Sequence, residues 1–148
     1  MINAALYSSA SDDWATPQSL FDQLSAEFGG FLLDVCATKI NAKCEHYFTR
    51  DIDGLSRPWA KRNWMNPPYG RTISGWIQKA DAEARQGNLT VALLPARTDT
   101  RWFQDYIYRY YEARFLRGRL KFNGSDMPAP FPSVIVVFSP VPSFRFHQ

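Results

Sequence analysis

The sequence is poor in cysteine and glycine and contains no long apolar run. Its 148 residues include only eight glycines and two cysteines. Two cysteines are too few for a disulfide framework or a four-cysteine zinc site. No apolar stretch approaches the roughly 20 residues that a membrane-spanning helix requires, and the first residues lack the basic and apolar regions of a secretion signal. We therefore expect a soluble, cytoplasmic protein in a reducing environment, with no membrane partner.

Metal-binding side chains are equally scarce. Cysteine and histidine occur only at Cys36, Cys44, His46 and His147. Their scatter lacks the spacing of zinc ligands, so no metal is expected.

The composition is that of one globular domain with a generous supply of aromatic rings. Apolar residues make up 45% and charged residues 21%, which suits a chain that buries a core. Trp, Tyr and Phe reach 16%, so we expect some rings to face a ligand. The net charge of +3 is compatible with a polyanionic partner. Residues 1–13 carry no apolar period and are expected to form a flexible arm before a single compact domain, residues 14–148.

Strand and helix patterns alternate along the chain, which favours an α/β sheet with crossover helices. Thr16 and Pro17 are expected to begin a helix as its N-cap and first residue, and Gly29 and Gly30 to end it. Two more helices are predicted at residues 73–84 and about 100–111. Strands are predicted at residues 31–35, 46–48, 63–65, 89–94, 113–116, 119–122 and 133–139.

The most informative feature is Asn66-Pro67-Pro68-Tyr69 at the end of a predicted strand. The exocyclic amino group of a purine is a poor nucleophile because its lone pair is delocalised into the ring, and acceptors for both N–H bonds would free that lone pair. The Asn66 side chain and the Pro67 main chain offer two such carbonyls, and the prolines keep them preorganised. Tyr69 can stack on the flat base. A rigid turn without chemistry is the alternative interpretation.

Six further segments accompany this motif: DWATP (13–17), LDVCA (33–37), DGL (53–55) with Trp59, LPARTD (94–99), GRLKF (118–122) and PFPS (130–133). With these segments the chain resembles the amino-methyltransferases that use S-adenosylmethionine, and more narrowly the short phage and prophage DNA N6-adenine methyltransferases. The resemblance runs from Asp13 to about Ser139. It implies a reduced Rossmann-like methyltransferase fold, mostly parallel with an antiparallel C-terminal strand and with helices on both faces.

The resemblance also implies S-adenosylmethionine as cofactor, DNA as substrate and a set of site residues. Asn66, Pro67, Pro68 and Tyr69 would form the catalytic corner, with Tyr69 stacking on an adenine rotated out of the duplex. Asp34 would border the methionine part of the cofactor. The full set of implied cofactor contacts is Trp14, Thr16, Pro17, Asp34, Cys36, Ala37, Asp53 and Asn66.

Lys and Arg side chains pair with the phosphates of DNA, and such contacts make binding depend on salt. The basic candidates for DNA contact are Arg71, Arg97, Arg117, Arg119 and Lys121, with Arg114 in the same basic stretch. Tyr69 joins them as the residue that would stack on the base. A solvated face is the alternative for this stretch, and an ion pair with Asp99 is the alternative for Arg97.

The chain departs from the family pattern in two ways. The cofactor loop DVCAT (34–38) contains no glycine, which makes close approach to the methionine part less favourable. No segment is long enough for a separate target-recognition region, so we expect either relaxed sequence specificity or recognition by loops, a homodimer partner or an accessory chain. A phage or prophage origin would place the protein in a bacterial host.

Direct methyl transfer to the N6 amino group of adenine in DNA explains the most residues. No cysteine follows a proline, which argues against cytosine C5 chemistry. The same acceptors would serve cytosine N4, RNA adenine or a protein glutamine. A DNA-binding or partner-binding module that has kept the fold without turnover is the non-enzymatic alternative.

Overall fold

The computed structural model describes residues 14–122 and 124–140. The predicted arm at residues 1–13 and the last eight residues of the predicted domain lie outside the described residues. The regular elements, in chain order, are α1 (Gln18–Phe28), β1 (Leu33–Asp34), β2 (His46–Tyr47), β3 (Arg62–Met65), α2 (Ile73–Arg85), β4 (Leu89–Pro95), β5 (Glu112–Phe115) and β6 (Ser133–Phe138). A 3-10 turn (Gly54–Ser56) and a short π-helix (Phe103–Ile107) complete the set.

The strands form one mixed sheet in the order β2-β1-β3-β4-β6-β5. Strands β2, β1, β3 and β4 are mutually parallel. Strand β6 lies between β4 and β5 and runs antiparallel to both. The predicted mostly parallel sheet with an antiparallel C-terminal strand is confirmed.

Helices cover the two faces of the sheet. Paired residues of neighbouring strands share a face, so Trp64 and its partner Val91 lie on one face, and Thr90 and its partner Phe138 lie on the other. The Phe21 ring of α1 packs edge-on against Trp64, with ring centroids 5.3 Å apart. On the opposite face, Tyr111 packs on Phe138 and donates its hydroxyl to Asp81 of α2. The predicted arrangement of helices on both faces is confirmed.

Four local predictions need correction. Helix α1 begins at Gln18 after Pro17 and has no side-chain cap, because Thr16 bonds elsewhere. The strand predicted at residues 31–35 is limited to Leu33–Asp34. In place of the helix predicted over residues 100–111, the structure has a short π-helix at Phe103–Ile107. Residues 119–122 form a loop instead of a strand, and the Leu120 carbonyl accepts a bond from the Ala129 N–H at 2.8 Å.

Within residues 14–122 and 124–140, no helix combines the length and apolar character needed to cross a membrane.

Candidate active site

The Asn-Pro-Pro corner follows directly from the end of β3. Neither proline has an N–H to donate to a sheet, so the strand stops at Met65. The Asn66 amide nitrogen donates one hydrogen bond to the Trp14 carbonyl and another, of 2.9 Å, to the Thr16 hydroxyl. Pro67 is buried and Pro68 is half-buried. The corner is therefore held by the chain segment that precedes α1.

Tyr69 is an interior residue at this corner. Its side chain is 2% exposed, and its ring contacts Phe122 and Phe131 edge-on. The hydroxyl lies 2.7 Å from the Asn66 Oδ1 atom and 3.1 Å from the Leu93 carbonyl oxygen. Burial raises the pKa of Tyr69 well above its usual value, so the phenol stays protonated. In this structure a base would reach the ring only if Tyr69 moved, and the predicted stacking on adenine stays a prediction.

Arg97 lies beside the corner, at the end of β4. Its Nη1 atom donates to the Tyr69 carbonyl at 2.9 Å, and its guanidinium lies over the Phe131 ring. Its hydrogen-bond partner is thus the main chain of the motif, and not the Asp99 carboxylate.

A cleft of about 240 Å³ joins the Asn-Pro-Pro corner to the end of β1. Asp34 and Asn66 both line it, as do Trp14 and Thr16. Parallel strands place their carboxyl ends at one edge of a sheet, where ligands bind in α/β folds. The remaining lining residues are Cys36, Ala37, Thr38, Lys39, Asn41, Lys43, Thr49, Arg50, Asp51, Trp64 and Pro68.

Asp34 provides a buried carboxyl group in this cleft. It is 3% exposed and accepts hydrogen bonds from the main-chain N–H groups of Lys43 at 3.0 Å and Cys36 at 3.4 Å. Burial raises the pKa of Asp34 to about 7, although these bonds and the Lys43 charge act in the opposite direction. A cationic ligand beside Asp34 would favour its ionised form.

A second cleft, of about 790 Å³, lies on the other side of Pro68. It shares Cys36, Thr49, Arg50 and Pro68 with the first cleft. Apolar and aromatic side chains occupy part of its wall, and its other lining residues are Val35, Leu55, Gly70, Arg71, Thr72 and Trp76. Ligand sites usually measure about 300 to 1,000 Å³, so the two clefts together have room for an extended ligand that the first cleft alone lacks.

The cleft gathers most of the predicted cofactor residues but not all of them. Pro17 precedes α1, and Asp53 is exposed at the start of the 3-10 turn; neither lines either cleft. Among the predicted DNA contacts, Arg71 lines the second cleft. Arg97 lies beside the corner. The remaining basic candidates lie in β5 and the loop after it, where Arg114 is held by Glu27 and Glu112, while Arg117, Arg119 and Lys121 are exposed.

Sequence reasoning missed the cleft residues that follow β2. Thr49, Arg50 and Asp51 lie at the carboxyl edge of the sheet because β2 pairs in parallel with β1. The same edge rule that selected Asp34 would have found them once His46–Tyr47 was placed beside β1. Lys43 was missed because its contribution to Asp34 is a main-chain N–H, which leaves no mark in the sequence.

The Cys44 thiol shows no sign of activation. Burial and the nearby Asp34 charge raise the pKa of Cys44 to about 12, so this thiol is protonated at neutral pH. Within the described parts of the chain, no three His, Cys, Asp or Glu side chains are grouped in a way that could hold a metal ion.

A mostly parallel, Rossmann-like sheet with a buried acid after one strand and an Asn-Pro-Pro-Tyr corner after its neighbour defines a protein of the methyltransferase class. Within that class the assignment is narrower, because the model of the DNA N-6-adenine-methyltransferase (Dam) family matches residues 3–139. The chain belongs to this family.

Proteins of known description are similar to this chain. The chain is similar to the DNA N-6-adenine-methyltransferase of Escherichia phage T1, with 33% identity over 96 residues, which cover 64% of this chain and 40% of the phage protein. It is also similar to YfdM of Escherichia coli K12, described as a methyltransferase, with 35% identity over 65 residues, covering 39% of this chain and 71% of YfdM. A solved methyltransferase structure from Thermoplasma acidophilum aligns with a TM-score of 0.42 and 12% identity, over 84% of this chain and 64% of that one. The chain thus spans less than half the length of its phage relative.

Proposed function

We propose that this protein transfers a methyl group from S-adenosylmethionine to the N6 amino group of adenine in DNA. The observation that carries the proposal is the single cleft that touches both Asp34 at the end of β1 and Asn66 after β3. A donor held at Asp34 and an acceptor amine held at Asn66 would face each other across this cleft. Family membership and the phage relative support the same reaction.

The first cleft suits the amino-acid part of S-adenosylmethionine. That part carries an ammonium, a sulfonium and a carboxylate, and the cleft offers the Asp34 and Asp51 carboxylates together with Lys39 and Lys43. The Trp14 indole N–H is buried and has no hydrogen-bond partner within the described residues, so a ligand carboxylate would satisfy it. When bound, S-adenosylmethionine supplies a methyl group activated by the positive sulfur.

The adenosine part would extend into the second cleft. Leu55, Pro68 and Trp76 provide apolar surface there for a flat ring. Asp51 lines the first cleft and follows Thr49 and Arg50, which both clefts share, and its carboxylate can accept bonds from ribose hydroxyls. This arrangement needs no glycine in the loop after β1, because the ligand would lie along side chains.

The Asn-Pro-Pro corner would bind and orient the target amine. The Asn66 Oδ1 atom and the Pro67 carbonyl are hydrogen-bond acceptors on rigid backbone, so they require little reorganisation as the amine attacks. In the structure the Tyr69 hydroxyl donates a hydrogen bond to the Asn66 Oδ1 atom. The target amine would therefore exchange with this hydroxyl, and Tyr69 would turn out of its aromatic surroundings to contact the base.

DNA would approach the face that carries the corner. Arg71 lies in the second cleft and Arg97 supports the motif, so both are placed to assist an incoming strand. A second copy of the chain or an accessory chain would add sequence recognition. The reaction would take place in the cytoplasm of a bacterial host, where DNA and cofactor meet.

Substitution of Asn66 tests the proposal. Asn66→Ala removes one acceptor for the amine, and loss of one preorganised hydrogen-bonding group costs about 100-fold to 1,000-fold in rate. We expect wild-type protein to transfer labelled methyl groups to N6 of adenine in DNA of mixed sequence, and N66A to lose transfer by that factor while it still binds S-adenosylmethionine in calorimetry.

Asn88→Ala is the matched control, because Asn88 bonds Glu83 at the other end of β4. This variant should keep wild-type transfer. Labelling of cytosine or RNA by the wild type would redirect the proposal to another amino group. Wild-type protein that gives no heat with S-adenosylmethionine in calorimetry and no transfer to any DNA would favour the binding module.

A further inference from the structure

We propose that Trp14 and Thr16 are positioning residues for the Asn66 amide, in addition to lining the cofactor cleft. The inference rests on the proposed function, since it concerns the carbonyl that would bind the target amine. The segment before α1 would then help to bind the target amine, whereas the sequence predicted only cofactor contacts for that segment.

The hydrogen bonds determine which end of the Asn66 amide faces the target side. A main-chain carbonyl can only accept, so the Trp14 carbonyl must face the amide nitrogen of Asn66. The opposite end of the amide, Oδ1, is then directed toward Tyr69. The Tyr69 hydroxyl could either donate or accept, so it does not select the orientation. The Trp14 carbonyl does.

Thr16 takes the second N–H of the same amide. Its hydroxyl lies 2.9 Å from the Asn66 nitrogen, and its side chain is only 3% exposed. A threonine before a proline and a helix is ordinarily an N-cap, but α1 has no side-chain cap. The Thr16 hydroxyl is thus used for Asn66 at the expense of the helix.

The orientation matters because the two ends of an amide have opposite hydrogen-bonding properties. With Oδ1 toward the target, Asn66 accepts a hydrogen bond from the target amine, and the lone pair of the amine nitrogen stays free. With the nitrogen toward the target, two donors would oppose each other. Loss of the Thr16 contact leaves a poorly satisfied N–H, so the amide should spend less time in the productive orientation.

The test compares Thr16→Val, which has nearly the same shape and lacks the hydroxyl, with Thr16→Ser, which keeps the hydroxyl. We expect T16V to lower kcat for DNA about tenfold at saturating cofactor, since one unsatisfied buried donor has an effect of this order. The Kd for S-adenosylmethionine should stay within about twofold, and T16S should recover most of kcat.

A second measurement does not depend on turnover. Proton exchange of the Asn66 side-chain NH₂ group, followed by NMR with asparagine labelling, should be slow in wild type and T16S and faster in T16V. If T16V fails to fold, Thr16→Ala replaces it in both measurements.

Two results would overturn the inference: equal NH₂ exchange in wild type and T16V, or a T16V that raises the cofactor Kd and keeps kcat. The second would make Thr16 a cofactor contact only. Wild-type protein without any transfer would instead count against the proposed function, while the exchange experiment would still decide the role of Thr16.

Discussion

Asp34 combines two properties that conflict in a folded protein, since it is a carboxyl group and it is almost fully buried. Removal of water disfavours the charged form, and two main-chain N–H groups compensate only in part. Such groups are concentrated at functional sites, where a ligand completes the compensation. The residue therefore links protein stability to ligand charge.

The raised pKa of Asp34 predicts an unusual dependence of stability on pH. The folded-state pKa of about 7 lies above the ordinary value of 3.8, so the folded protein binds the proton more tightly than the unfolded chain. The stabilising contribution is complete below pH 3.8 and is lost as pH rises to about 7. Asp34→Asn should abolish this slope and be more stable than wild type at about pH 8, by at most about 4 kcal/mol. Urea unfolding at about pH 5 and about pH 8 measures the difference.

Binding of S-adenosylmethionine should show the opposite trend for the same reason. A cation binds the ionised carboxylate, so the wild-type Kd should fall about tenfold between about pH 6 and pH 8. D34N should bind weakly at both values. A wild-type Kd that does not change with pH would mean that Asp34 does not face the cofactor cation.

At the scale of elements, the 3-10 turn (Gly54–Ser56) carries Leu55 into the second cleft. The turn packs so closely on β1 that a Cβ atom at Gly54 would lie 3.1 Å from the Val35 carbonyl oxygen and 3.3 Å from the Trp76 ring. The Trp59 indole donates to the Gly54 carbonyl at 2.9 Å and fixes the turn from the other side. A side chain at position 54 would therefore force these neighbours to shift, whereas glycine fits the close approach without any shift.

Gly54→Ala should therefore shift the turn and reshape the second cleft. Overpacking of a tight contact costs about 1 to 3 kcal/mol, and the Kd for S-adenosylmethionine should rise with it. Gly75→Ala is the control, because its Cβ would meet only the Leu55 Cδ1 atom at 3.6 Å. Because Gly75 lies within helix α2, this change should raise the free energy of unfolding by about 0.5 to 1 kcal/mol. Urea unfolding of both variants checks the pair, and a G54A as stable as wild type would contradict the argument.

The elements also show what could be predicted from the sequence. Apolar runs such as residues 89–94 and 133–139 predicted β4 and β6 well, because burial of both faces leaves a strong pattern. The strand predicted at residues 119–122 was wrong, since an alternating pattern does not reveal whether a partner strand exists. The helix over 100–111 was overestimated because Trp102, Phe103, Tyr106 and Tyr110 recur at helical spacing, yet Arg109 adopts a positive φ of 76°.

Site residues divide in the same manner. The proximity of Asp34 and Asn66 could be predicted because Asp34 ends one strand and Asn66 follows another, and parallel strands place these ends at one edge of a sheet. The hydrogen bond from Asn66 to Thr16 spans 50 residues, and local reasoning assigned Thr16 to the helix instead. The burial of Tyr69 depends on Phe122 and Phe131 from two distant loops, so no local pattern could have indicated it.

At the scale of the whole molecule, the net charge of +3 is small. Part of the positive charge is neutralised within the fold, as Arg114 shows by its bonds of 2.7 and 2.6 Å to the two carboxylate oxygens of Glu27. The proposed contact with DNA would therefore depend on a few cations near the corner. Arg71 is exposed, and it lies in the second cleft next to the motif.

This distribution predicts different effects for two arginines. Arg71→Gln should weaken DNA binding and reduce the slope of log Kd against log salt by about 1, because one phosphate contact is lost. Arg114→Gln should leave the slope unchanged, because its guanidinium is already paired with Glu27 and Glu112. Titrations of fluorescent DNA at salt concentrations between about 50 and 200 mM distinguish the variants. Equal slopes in wild type and R71Q would remove Arg71 from the interface.

The position of β6 between β4 and β5 has a consequence for how the chain is made. Strand β5 pairs with no described strand except β6, which the ribosome delivers only after the intervening loop has been synthesised. Until then Glu112–Phe115 has its main-chain groups open to solvent or to another nascent chain. The parallel strands that hold the cleft can assemble earlier, so β6, the last strand among the described residues, completes the sheet after the strands around the cleft are already paired.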